Sequence, residues 1–255
     1  MMDYKSPAEA SQLGGLRIAL TAGVPAPWSM AARYMFDVKG IEYIPVLQVA
    51  SEANEELVAW TGHRNAPVVV LDDEPPRTNW ADIIELAERL NPEPPLVPAD
   101  PEQRIRMFGL CNEICGAGGY MWNARHLMMA PLMNSSDPGL SSMRQTMGKA
   151  YGYSEQAAAA APALVAQVLT LLAGELEAQQ TRGSRYYLGD SLTALDLVWA
   201  SFSNTLRPLP EEVNPMDPGI RKVYSSMGEF AKPPDILFEH RDFIYRNHLT
   251  LPLDF

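Results

Sequence analysis

The sequence predicts an α+β N-terminal domain joined by a proline-rich linker to an all-α C-terminal domain. Three observations carry this. Short β-branched runs alternate with helical stretches through the first ninety or so residues. The segment Asn91-Pro-Glu-Pro-Pro-Leu-Val-Pro98 then carries four prolines in eight positions. Beyond it strand signals nearly vanish and long apolar-periodic helices take over. The organisation expected is 1–90 (ordered from about 16), a linker at 91–100, and 101–255.

Leu16–Leu20 reads as a short strand, and Met30–Lys39 as a helix that Gly40 ends. Ile41–Val49 is a second strand in which Pro45 suits an edge or a bulge. Glu55–Thr61 is a short helix with Gly62 near its end, and Asn65–Leu71 is a buried strand. Asp72–Pro76 is a turn, with the start of a hairpin possible there. Asn79 or Thr78 caps a helix over Ala81–Leu90. After the linker, helices are expected over Pro101 to about Met129, Ser154–Gln180, Asp190–Phe202 and within Pro233–Leu249. Leu132–Gly148, rich in Ser, Met and Gly, reads as a loop or broken helix, and Thr250–Phe255 as extended chain. No internal repeat is visible.

Bulk properties narrow the function. The 255 residues carry a net charge of −11 and no basic tract, which argues against a nucleic-acid partner. No apolar run is read as long enough to span a membrane, and the first residues lack the pattern of a secretion signal. The two cysteines, Cys111 and Cys115, are four apart in a helix, a poor spacing for a disulfide. A reduced cytoplasmic location is expected. They have no His or Cys cluster beside them, so no metal site is expected.

The turn Ala26-Pro27-Trp28-Ser29 between the first strand and helix is the most telling local feature. A strand feeding a helix N-terminus presents free N–H groups and a positive dipole end, suited to a thiolate or carboxylate. Ala26 offers no side-chain nucleophile. Ser29 either caps the helix or helps hold a sulfur, and Trp28 either walls a site or anchors the helix. In the second half, Leu188-Gly-Asp-Ser-Leu-Thr-Ala-Leu-Asp196 places Thr193 three residues before Asp196. This is a capping box with Asp for the usual Glu, starting a buried central helix; its role is folding.

On these residues the chain resembles the cytosolic glutathione S-transferases. Ala26–Ser29 with Arg33 and Lys39–Tyr43 match the first strand, catalytic turn and helix. Ala66-Pro67-Val68 matches the segment with a cis-proline before the third strand, and Gly189–Asp196 the capping motif of the helical domain. The resemblance implies a thioredoxin-like first domain, a homodimer, glutathione as cofactor, and conjugation or thiol transfer on a small hydrophobic electrophile. It implies that Ala66 gives its backbone N–H and C=O to the cysteinyl part of glutathione. Trp28, Pro67, Asn79 and Trp80 would complete the binding site, and Ser29 is the candidate catalytic side chain. In Ser- and Cys-type members the activating residue stands where Ala26 is, and the acidic–Ser pair that binds the γ-glutamyl group falls on Asn79-Trp80. The substrate cleft would be bordered by Cys111, Cys115, Tyr120 and Trp122, with Arg125 and His126 on the same helix able to meet an acidic or aromatic substrate. Cys111 and Cys115 are either reactive thiols or small core residues. Two other readings stay open: a ligand-binding protein of this fold that has lost glutathione chemistry, and an enzyme using another cofactor or a cleft thiol.

Overall fold

The structure is a computed structural model and describes residues 2–255. Strand β1 (Leu16–Thr21) is buried at every position, as a central strand must be. It pairs in parallel with β2 (Ile44–Gln48) and antiparallel with β3 (Val68–Leu71), giving the order β2-β1-β3. Ile18 stands between Pro45 and Val69 in register. Pro45 has no N–H for the ladder and lies on the outer strand; its carbonyl accepts from Lys5 N–H at 2.9 Å. Val69 and Arg77 exchange two backbone hydrogen bonds of 2.9 and 2.8 Å across the 72–76 turn, a one-residue stub of a hairpin.

Order begins earlier than residue 16. Helix α1 (Pro7–Ala10) opens on a capping box in which the Glu9 carboxylate accepts from Ser6 N–H at 3.0 Å and Ser6 Oγ accepts from Glu9 N–H at 3.2 Å. Helix α2 (Pro27–Asp37) starts three residues before the expected Met30, because Pro27 already holds the helical φ of a first position. Helices α3 (Glu55–Thr61) and α4 (Trp80–Leu90) fall where expected; Asn79 Oδ1 caps α4 by accepting from Ala81 N–H at 2.8 Å.

Residues 91–100 form no helix or strand, yet they are anchored. Lys39 Nζ donates to the carbonyls of Asn91 and Pro94 at 2.8 and 2.7 Å and pairs with Glu88 at 2.7 Å. Leu96, fully buried, accepts from Ala194 N–H at 2.8 Å at the start of a later helix.

The helical part departs from expectation in several places. The single helix expected over 101–129 is two, α5 (Pro101–Cys115) and α6 (Tyr120–Met133). Gly116-Ala-Gly-Gly119 breaks it: Gly118 takes φ +81°, and Asn123 Nδ2 locks the break by donating to the Gly118 and Gly119 carbonyls at 2.6 and 2.9 Å. The expected loop over 132–148 holds a short 3-10 turn (Pro138–Leu140) and helix α7 (Ser141–Tyr151). No residue of α7 is buried, and its Ser, Thr and Gly, weak helix formers, masked it in the sequence.

Next come α8 (Glu155–Thr181), α9 (Ala194–Ser203), α10 (Pro218–Ala231) and α11 (Ile236–His248); α10 had no sequence expectation. Helix α8 corrects the reading of apolar runs, because by length and composition it could cross a membrane, an 18-residue stretch of it having a mean hydropathy of 1.8. In the fold it packs Val165, Leu169, Leu172 and Leu176 inward and contacts α6 and α11. Helix α9 is buried at every position and touches α2, α5 and α11, so it is the axis on which both halves pack.

Helix α9 opens on the expected capping box between Thr193 and Asp196: Asp196 Oδ2 accepts from Thr193 N–H at 2.8 Å, and the Thr193 hydroxyl also donates to that carboxylate at 2.7 Å. Asp196 also accepts from Tyr187 N–H at 2.9 Å and from His240 at 2.8 Å. His240 therefore pairs across the fold and not with its helical neighbours.

Candidate functional site

Where α2, α4, α5 and α9 meet the entry to β3 there is a small apolar cleft. Trp28, Pro67, Thr78, Trp80, Cys115 and Phe202 are among its walls. Three pieces of backbone border it without partners. Helix α2 opens with Ala26 as N-cap and no side-chain cap, so the N–H groups of Trp28 and Ser29 have no acceptor among the described residues. Helix α4 opens likewise at Trp80 and Asp82, since Asn79 satisfies only Ala81. The N–H and C=O of Ala66, before the cis bond to Pro67, make no backbone hydrogen bond. Two helix N-termini and the backbone before Pro67 thus adjoin an apolar space, an arrangement that favours an anionic, peptide-like guest.

The side chains are placed less uniformly. Ser29 is only 3% exposed, and its hydroxyl is not the helix cap. Its Oγ accepts from Thr21 N–H at 3.2 Å and lies 3.3 Å from the Thr21 hydroxyl, tying α2 to the end of β1. Trp28 is both wall and anchor: it lines the cleft, donates from Nε1 to the Cys115 carbonyl at 3.1 Å, and meets Phe202 edge-on at 4.8 Å. Asn79 is exposed, and its oxygen is spent on the cap. Trp80 sits in the cleft wall with its ring 6.1 Å from Phe108.

Of the residues expected around the substrate cleft, only Cys115 lines it. Burial pushes its thiol up to about 12, and the S–H donates to the Cys111 carbonyl at 3.1 Å. Cys111 is wholly buried, its thiol pushed well above the ordinary range by burial, with Cys115 and Asp196 adding to the effect. Both behave as core residues. Tyr120 is also wholly buried and hydrogen-bonded to the Thr205 hydroxyl at 2.8 Å. Trp122 stands beside Trp28, rings 6.3 Å apart, and together with Tyr151 they surround the guanidinium of Arg125 at 4.3, 4.6 and 4.7 Å from the ring centres.

Thr78 is expected only as a helix cap, and neither Phe202 nor Tyr151 is expected as a site residue from the sequence. Phe202 follows Val198 by one helical turn and both line the cleft, but a helix buried on every face gives no sign of which face a cavity meets. Tyr151 ends α7, just past the segment expected to be a loop. Among the described residues no group of three His, Cys, Asp or Glu side chains could hold a metal.

Comparison with solved structures places the fold. The chain superposes on a glutathione S-transferase from Methylobacillus flagellatus with glutathione bound, at TM-score 0.63 and 13% identity, over 91% of this chain and 96% of that one. The Tau class glutathione S-transferase of mango, Mangifera indica, gives 0.56 and 17% over 91% and 98%. The β-etherase LigF from Sphingobium gives 0.58 and 14% over 89% and 99%. The chain has the fold of the glutathione S-transferases: a thioredoxin-like first part with a small mixed sheet, and a helical second part. No family model matches the sequence, and no curated protein matches it.

Proposed function

We propose that the protein binds glutathione in this cleft and directs its sulfur, as thiolate, to a small hydrophobic electrophile. The observation that carries the reading is the convergence of three unpartnered backbone elements on one apolar space: the first turn of α2, the first turn of α4 and Ala66. The cysteinyl backbone adds to Ala66 as an extra strand would, and the γ-glutamyl carboxylate meets the start of α4. The sulfur meets the N–H groups of Trp28 and Ser29 at the positive end of α2, and preorganised N–H donors of this kind stabilise a thiolate. Ser29 contributes its backbone N–H, since its hydroxyl is engaged with Thr21. The same reading carries a cytoplasmic homodimer.

A second reading has its own observation. Trp28 and Trp80 both stand in the cleft wall, and Ala26 supplies no polar atom, which suits a ligand-binding protein that has lost glutathione chemistry, or an enzyme with another cofactor. Isothermal titration with glutathione decides between them. Binding with a free energy of about −4 to −8 kcal/mol supports the first reading. A folded protein that gives no heat at two temperatures overturns it in favour of the second.

A further inference from the structure

Arg125 is a half-buried cation with no ion pair among the described residues. Arg33, Arg106 and Arg241 each hold a carboxylate, on Asp37, Glu175 and Asp242. The chain has 31 acidic residues against 20 basic ones, yet among the described residues no ion pair joins any of them to Arg125. The titratable groups that face it are the phenols of Tyr151, on α7, and Tyr224, on α10. None of its guanidinium N–H groups has a hydrogen-bond acceptor among the described residues. What holds it is the box of Trp28, Trp122 and Tyr151, three rings from three different helices. Cation–π contact compensates a desolvated guanidinium but leaves its in-plane donors unused, and those donors match a carboxylate in a two-pronged fork. Trp28 belongs both to this box and to the wall of the apolar cleft, so the cation lies one ring away from the space where the proposed electrophile sits.

We propose that Arg125 is the anion receptor of the substrate site, taking the carboxylate of an aromatic acid whose ring packs in the cleft walled by Trp28. This names the substrate class of the proposed reaction: small aromatic carboxylates, and not neutral electrophiles. The receptor itself stands on the cleft and the box and does not need glutathione. Burial draws the guanidinium below its ordinary range, the direction expected of a cation that lacks its anion.

The test is a matched pair of probes, 2-naphthoate and 2-naphthamide, titrated into the full-length protein by quenching of tryptophan fluorescence, since Trp28 and Trp122 are in the box. The wild type is expected to bind the carboxylate at least about ten-fold more tightly than the amide, a preference weakened by salt. R125Q is expected to lose it, and R125K to keep part, having charge without the fork. Equal binding of the two probes by wild type overturns the proposal, and this comparison needs no variant to fold. A preference that survives in folded R125Q also overturns it, because the carboxylate then sits at a helix N-terminus. Titration with glutathione alone is scored separately. A naphthoate preference without glutathione binding upholds the receptor and sinks the transferase reading; glutathione binding without the preference does the reverse.

Discussion

Asp196 and His240 form a pair sealed inside the fold, with 2.8 Å between Oδ1 and Nε2 and side chains 0% and 2% exposed. The carboxylate accepts, so Nε2 carries the proton. The same carboxylate holds the N–H of Tyr187 and both the N–H and hydroxyl of Thr193. One side chain therefore joins the start of α9, the segment before it and the final helix.

Removing Asp196 should be the most costly single change in the second half. Asp196→Ala strands every one of these donors in a buried site, and loss of one partner of such a pair costs about 3–5 kcal/mol. His240→Gln should cost less, roughly 1–3 kcal/mol, because the other donors still satisfy the carboxylate. Urea unfolding of both variants and of the double variant checks this. The double variant should be less destabilised than the sum, since both changes break one network.

The parts legible in the sequence are those set by local periodicity. The three strands, the cap at Asn79 and the buried helix after Thr193 follow from patterns of four to ten residues. The partner of Asp196 lies 44 residues away, and nothing local distinguishes His240 from a surface histidine among charges. The Arg125 box draws Trp28, Trp122 and Tyr151 from three helices, one of them without a buried residue, so only folding brings it together. The break at Gly116–Gly119 was missed for another reason: apolar residues continue in helical phase on both sides, and phase hides a break that a glycine-rich quartet makes.

Stability should decline as pH falls below neutrality. Burial holds both His126 and His248 below the ordinary 6.5; for His248 the charge of Asp196 opposes the shift. Above about pH 7.5 both histidines are neutral in folded and unfolded chains, so they add no pH dependence there. Below it the unfolded chain takes up protons first, and stability is lost until the pH passes the lowered folded values. The melting temperature should therefore fall between about pH 7.5 and 5.5, and His126→Gln with His248→Gln should flatten that slope. A melting temperature that rises over this range contradicts it.

The thiols should be inert in the native protein. Cys111 and Cys115 are both buried, and Cys115 is pushed up to about 12 by that burial. Iodoacetamide reacts with thiolate, so at mildly alkaline pH the native chain should take up almost none, and the urea-unfolded chain should take up two equivalents. Rapid labelling of one cysteine in the native protein, found by mass spectrometry, would return a thiol to the list of catalytic candidates.

Ser29→Ala separates the hydroxyl from the backbone beside it. The variant loses the acceptor that Thr21 N–H uses inside the α2–β1 junction, so it should be less stable by about 1–2 kcal/mol. The N–H groups of Trp28 and Ser29 are unchanged in Ser29→Ala, and Ala26 had no side chain to lend. If the backbone holds the sulfur, glutathione should bind within about two-fold of wild type and its bound thiol should ionise at the same pH, read from thiolate absorbance in the ultraviolet. If the hydroxyl holds it, that ionisation should move upward, with loss of transfer at neutral pH, while stability hardly changes. The two outcomes differ in both measurements, so partial unfolding cannot be mistaken for a catalytic effect.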